Sequence, residues 1–363
     1  MLKLLPLLQQ AGIECCFLSV SVKEDAKGAE ELNAKLRQSG IEVKQIITAS
    51  PLNFNLLKQI NSTYKKGGFS LIHTHLIHAD FWAAAIKFLF NRKIKIVSTK
   101  HGYDENYQAR FGYDHTRRKP DLYYILSVFS EKFINRSAAV SEGLSRFFVG
   151  KGISKYGRIE TIPHGLDFKA ETQKERNENL RFYKKQLIII GRLVPYKGQR
   201  FVIDCLPELL TQYPDLGLVL VGSGSNEKVL KEQAESLGLQ NFVRFEGHKK
   251  NVHDYLANSD IVVVPSTSEG FGIVLLEAWH HKKPVVAFDV PAPNTIIINN
   301  KNGLLIPPFD LQILRDKLAM LIKEPEERKR LGEAGYQSLI TDYSPQKMVA
   351  STIQFYNKVL YDK

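Results

Sequence analysis

The segments Leu187–Ile190 and Ile261–Val264 are apolar at every position, and each runs directly into a loop carrying glycine and charge. A strand wetted on one face alternates polar and apolar residues. A strand apolar throughout must be covered on both faces, which is the pattern of a parallel sheet between helices. The first strand leads into Gly191-Arg192-Leu193-Val194-Pro195-Tyr196-Lys197-Gly198. The second leads, through Pro265-Ser266-Thr267-Ser268, into Glu269-Gly270-Phe271-Gly272-Ile273-Val274-Leu275-Leu276-Glu277. Both loops open into helical patterns. Two cations, two carboxylates and several glycine backbones therefore gather at the carboxyl edge of one sheet, where open α/β folds bind ligands.

Similar apolar runs organise the rest of the chain into two series. The first comprises Ile13–Val20, Ile41–Thr48, Ser70–His75, Ile94–Thr99, Ser137–Ser141 and Arg158–Pro163. The second adds Leu218–Val221, Val243–Phe245, Val285–Phe288 and Leu304–Ile306 to the two runs above. Helix-length segments separate them, predicting an α/β protein with doubly wound parallel sheets. The polar stretch from Asn177 to Lys185 lacks apolar periodicity and reads as the crossing linker. Helices are expected at Leu311–Ile322, Pro325–Leu339 and Pro345–Leu360. The domain limits expected are 1–176, 177–343 and a terminal helix over 344–363. A chain of 363 residues with 44% hydrophobic and 24% charged residues can fill two such cores.

Composition also narrows the partners. No run of about 18 apolar residues is present to span a membrane, and Met1 to Gln9 lacks the form of a secretory signal. Cys15, Cys16 and Cys205 cannot build a disulfide framework, so a reducing cytoplasmic setting is expected. The net charge of +12 calls for an anionic substrate, an anionic membrane surface or simply a solvated basic face. Nothing resembles a zinc-ligand spacing or an aromatic RNA-binding motif, so a specific nucleic-acid partner is not expected.

The pairing of Gly191-Arg192-x(4)-Lys197-Gly198 with Pro265-Ser266-x-x-Glu269-Gly270-Phe271-Gly272-x(4)-Glu277 resembles the signature of family-4 retaining glycosyltransferases, also described as glycosyl transferases group 1. The resemblance implies the GT-B fold: two Rossmann-like domains facing across a cleft, with the last helix crossing back to the first domain. It implies transfer of a sugar from a nucleotide diphosphate donor to a glycan or lipid-linked acceptor, in cell-surface polysaccharide or glycolipid synthesis. In that family a strand and a glycine-rich loop precede the first helix, whereas this sequence begins within what reads as that helix, Leu4 to Ala11. The expectation is therefore a protein lacking that strand and loop. A catalytically impaired nucleotide-sugar binder and a GT-B epimerase remain as alternative readings.

Sugar transfer from a diphosphate needs cations and aligned N–H groups for the leaving group, and tolerates a carboxylate near the sugar. Arg192 and Lys197 supply the cations, and the guanidinium can grip phosphate in bidentate fashion. The resemblance assigns Glu277 to the ribose, Glu269 to the sugar hydroxyls and His101 to the reacting centre. It places Gly191, Gly222, Gly270, Phe271, Gly272 and Ile273 around the donor, with His75 and Gly102 on the acceptor side. No Asp-x-Asp occurs anywhere in the chain. No cofactor or metal is accordingly expected beyond the donor itself. The basic-aromatic stretches Phe81–Lys93 and Arg117–Phe129 suit either core packing or an anionic leaflet at the inner face of the cytoplasmic membrane.

Overall fold

The computed structural model describes residues 1–50, 53–104, 107, 108, 110, 112, 114, 116, 121–166 and 178–361. The Arg117-Arg118-Lys119 cluster lies outside them. In the N-terminal half, β1 (Cys16–Val22) pairs in parallel with β2 (Glu42–Thr48). A separate four-stranded parallel sheet follows, β3 (Ile72–His75), β4 (Ile96–Lys100), β5 (Arg136–Ala139) and β6 (Ile159–Thr161), in that spatial order. Among the described residues, no backbone pairing joins β1 to β3.

The C-terminal sheet contains β7 (Lys185–Ile190), β8 (Leu216–Val221), β9 (Val243–Gly247), β10 (Ile261–Val264), β11 (Val285–Phe288) and β12 (Leu304–Ile306). Its order, β12-β11-β10-β7-β8-β9, reverses direction at the β7–β10 boundary. That boundary is the topological switch point, where diverging connections leave a crevice. Both sequence motifs begin there, because one follows β7 and the other β10.

The continuous apolar strands have the cause anticipated from their sequence. Leu187 and Ile189 of β7, with Leu218 and Leu220 of β8, enter one core beneath the helices Gln199–Gln212 and Leu311–Lys323. Ile188, Val219, Val262 and Val264 enter the opposite core with Leu275, Leu276 and Trp279 of the helix Ile273–His280. Successive side chains point to opposite faces, so both must be apolar. This second core continues without interruption into Val140, Leu144, Phe147 and Phe148 of the N-terminal half. The two halves are thus joined by buried apolar surface as well as by chain. At that junction Gly143 has no room for a side chain: a Cβ would lie 2.6 Å from the Ala292 nitrogen.

Helix ends follow local chemistry. Asp121 caps the helix Leu122–Phe133 by accepting from the Tyr124 N–H at 2.7 Å, and Ser344 with Pro345 starts the helix Pro345–Leu360. That last helix packs Phe355, Tyr356 and Val359 against Leu4 and Leu8 of the first helix, Leu4–Gln10, and against Val97 and Ala138 of β4 and β5.

Several sequence boundaries are corrected. β1 begins at Cys16 rather than Ile13, because Ile13 still closes the preceding helix through its N–H to Leu8 O. β4 runs on to Lys100, whose ammonium is neutralised inside the fold. Lys185 belongs to β7 and not to a linker: it pairs opposite Leu216, and its ammonium reaches Asp215 at 2.8 Å. Charge at a strand end is tolerated when the stem lies along the sheet and the head stays wet.

Candidate active site

A cleft of about 540 Å³ opens between the two sheets. From the C-terminal half it is lined by Arg192, Tyr196, Lys197, Ser268, Glu269 and Gly270, and from the N-terminal half by residues around Lys100, His101 and Gly102. The β7 and β10 loops are tied together there. The Thr267 N–H donates to Tyr196 O at 2.8 Å, and Gln199 Nε2 donates to Arg192 O at 2.9 Å. Lys197 Nζ meets Glu269 Oε1 at 2.5 Å, with the lysine side chain 20% exposed and the glutamate 8%. Ser266 Oγ donates to the same carboxylate oxygen at 2.9 Å. The Arg192 guanidinium is bonded to Tyr196 Oη. Two cations and one carboxylate therefore sit together at the switch point.

The other wall is built on histidines. His75 Nδ1 and His101 Nε2 are 2.8 Å apart and share one proton. His73 is held between Tyr356 Oη at 2.7 Å and Thr99 Oγ1 at 2.8 Å. His164 stacks on His101 with ring centroids 5.4 Å apart and planes 13° from parallel, and packs edge-on against Phe271. Burial pushes His73 down to about 3, and His101 and His164 to about 4. Their mutual repulsion adds to this at His73 and His164. His75 is lowered too, by burial first and then by its neighbours. The cluster is neutral at physiological pH. Among the described residues, no three His, Cys, Asp or Glu side chains converge as metal ligands.

Beneath His101 lies a buried ion cluster. Lys100 Nζ contacts Asp80 Oδ2 at 2.7 Å and Glu131 Oε2 at 3.3 Å. Burial works against the ammonium, but the two carboxylates outweigh it and raise its pKa. Thr74 Oγ1 donates to Asp80, and Ser137 and Ser154 donate to Glu131. The two halves also meet directly, where Ser141 Oγ donates to Gly270 O at 2.7 Å.

The residues singled out from the sequence divide into two groups. Arg192, Lys197, Glu269, Gly270, His101 and Gly102 line one cleft. Gly191, Gly222, Phe271, Gly272, Ile273, Glu277 and His75 are not among the described residues that line it. Gly222 is pressed so closely on Gly191 that a Cβ would lie 1.9 Å from Gly191 O. Phe271 is buried against His164 and Tyr343. Gly272, at φ +84°, caps the helix Ile273–His280 that carries Glu277. Sequence reasoning missed the lining residues Asp80, Lys100, Tyr103, Tyr123 and Ser268. The one signal was an acid, Asp80, in the largely apolar helix Ile77–Leu89.

The sequence profile described as Glycosyltransferase Family 4 matches residues 1–170, and that of Glycosyl transferases group 1 matches residues 171–338. The chain belongs to glycosyltransferase family 4. An uncharacterized glycosyltransferase of Haemophilus influenzae is 29% identical over 175 residues, which is 48% of this chain and 49% of that protein. The N-acetyl-alpha-D-glucosaminyl L-malate synthase of Bacillus anthracis is 25% identical over 328 residues, covering 86% of this chain and 81% of its own length. Among solved structures, HepE of Anabaena in complex with UDP superposes with a TM-score of 0.78 at 21% identity, covering 95% of this chain and all of that one. The fold is GT-B. Among the described residues, no helix is long and apolar enough to cross a membrane.

Proposed function

We propose that this family-4 chain is a retaining, metal-independent glycosyltransferase that moves a sugar from a nucleotide diphosphate donor to a glycan or lipid-linked acceptor. The observation that carries the reading is the meeting of Arg192, Lys197 and Glu269 with His101 in one cleft, one wall from each sheet. The bond from the anomeric carbon to the diphosphate oxygen breaks as charge builds on the leaving group. Arg192 and Lys197 stabilise that charge, which takes the place of a divalent ion. The acceptor hydroxyl attacks from the same face and passes its proton to the departing phosphate oxygen. The products are a glycoside of unchanged anomeric configuration and a nucleoside diphosphate. Neutral His101 orients the sugar without repelling the positive charge that develops on it.

HepE of Anabaena has been crystallised with UDP and with UDP-glucose, so UDP-glucose is the first donor to try. We place the enzyme in surface polysaccharide or glycolipid synthesis, on the inner face of the cytoplasmic membrane. Exposed Phe88, Leu89 and Phe90 beside Arg92 and Lys93 would touch that surface. Product stereochemistry by proton NMR, in excess EDTA, tests the reaction. Inversion of the anomeric carbon, or an absolute need for added magnesium or manganese, would overturn it. Sedimentation with anionic and neutral vesicles tests the placement, which indifference to lipid charge would refute.

A further inference from the structure

The buried cluster beneath His101 is unbalanced in charge. Asp80, Lys100 and Glu131 are 1%, 6% and 5% exposed, and two carboxylates share the one ammonium. All four carboxylate oxygens are engaged. Lys100 Nζ and Thr74 Oγ1 donate to the two oxygens of Asp80. At Glu131, Ser154 Oγ reaches Oε1 at 2.7 Å and Ser137 Oγ reaches Oε2 at 2.9 Å. An ionised carboxylate accepts on every oxygen, whereas a protonated one must donate from one, so these contacts suit two anions.

Such a cluster is a poor way to hold helices together. Desolvating buried charges can cost more than their attraction returns, and apolar side chains of similar volume often serve an interior as well. The surplus carboxylate adds a repulsion that a matched pair would avoid. Its position gives it another use. Asp80 and Lys100 line the cleft beside His101, and buried charge is screened far less than surface charge. The field of Asp80 reaches the cleft histidines, where it works against the lowering of His73 and His101 by burial. On the opposite wall Glu269 is matched by Lys197. A sugar losing its diphosphate gathers positive charge at the anomeric carbon and ring oxygen. Fixed charge of opposite sign stabilises it without reorganisation.

We propose that the Asp80–Lys100–Glu131 cluster is a fixed negative counter-charge for the cation that develops on the transferred sugar, so that the cleft prefers a positively charged sugar-ring analogue to a neutral one. The proposal rests on the transfer reaction read above and adds to it a second source of charge, on the wall opposite Glu269. At an effective dielectric of 20, one unit charge on the order of 10 Å away changes the binding of a cation roughly tenfold.

Calorimetry on the full chain saturated with UDP would compare two probes of one shape. One is 1-deoxynojirimycin, whose ring amine is protonated at mildly acid pH; the other is 1,5-anhydro-D-glucitol, with oxygen in place of that nitrogen. Wild type should favour the cation by about tenfold or more. Asp80→Asn keeps an acceptor for Lys100 and should cut that preference roughly tenfold, and Glu131→Gln should cut it in the same direction. In both variants the affinities for UDP and for the neutral probe should stay within about twofold, which reports an intact fold and cleft; if one variant fails to bind UDP, the other carries the comparison. The proposal is overturned if wild type binds the two probes equally or binds neither, or if both variants keep the full preference for the cation. Equal loss of both probes in the variants would also overturn it, leaving the cluster a packing support for His101. In each of these cases UDP binding leaves the donor reading intact. Absence of UDP binding by the wild-type chain would instead remove the donor reading, and this proposal with it.

Discussion

Replacing Glu269 by glutamine should tighten nucleotide binding and cripple transfer. At the 2.5 Å separation of Lys197 Nζ and Glu269 Oε1, the gross attraction is about 6–7 kcal/mol at an effective dielectric of 20. Lost hydration cancels most of this, and a charge-assisted hydrogen bond nets about 1.5–3 kcal/mol. An incoming diphosphate must compete with Glu269 for that ammonium. Glutamine removes the competing charge yet still accepts from Ser266 Oγ, so the loop should keep its shape. Because the ammonium can be shared, the gain should fall near the low end, about tenfold in UDP affinity. Transfer should drop on the order of 100-fold, since the carboxylate facing the sugar is gone. Lys197→Ala should do the reverse to UDP, weakening it about tenfold or more. Titration calorimetry of wild type and both variants at two salt concentrations separates these effects. If Glu269→Gln weakens UDP as much as Lys197→Ala does, the pair is a structural clasp and the diphosphate does not reach Lys197.

Three further outcomes follow from the geometry. His101→Ala should lower transfer far more than UDP affinity, because the cations proposed to hold the nucleotide come from the other sheet; equal loss of both in paired kinetic and calorimetric measurements would return His101 to a packing role. Stability should depend on pH in one direction: His73, His101 and His164 titrate below their ordinary 6.5 when folded, so the unfolded chain binds more protons as pH falls. The unfolding free energy from urea titration should then be flat above pH 7 and fall from about pH 6.5 toward 4, by up to ~1.4 kcal/mol per pH unit for each histidine, and less steeply in His164→Asn. Gly222→Ala should cost about 2–5 kcal/mol in urea unfolding, through its φ of +146° and the collision with Gly191 O; a loss under 0.5 kcal/mol would mean that β7 and β8 can part without strain.

The parallel sheets could be anticipated because a run such as Ile261–Val264 has no wet face, and only coverage on both sides satisfies four apolar residues in succession. The donor loops were legible for the same local reason: each glycine-and-charge segment directly follows its strand. The helix starts expected at Leu311 and Pro345 were equally local, since the caps found there, Asp310 and Ser344, need only the next few residues. Asn302-Gly303 shows the limit of such reading. Its asparagine closes a turn by accepting from the Ile298 N–H and donating to Ser338, partners no spacing rule predicts.

Tertiary structure alone decided which of these segments meet. Lys197 and Glu269 are 72 residues apart, and they pair because β7 and β10 are neighbours in the sheet. His75 reaches His101 because β3 and β4 are neighbours in the N-terminal sheet, and His164 touches Phe271 only because the two sheets close on one apolar core. Sequence by itself settled the covered strands and the turning loops that carry Arg192, Lys197 and Glu269, since those depend on neighbours along the chain. Strand order, the neutral histidine wall and the buried Asp80–Lys100–Glu131 cluster depend on non-local hydrogen-bond register and burial, which exist only once the chain has folded.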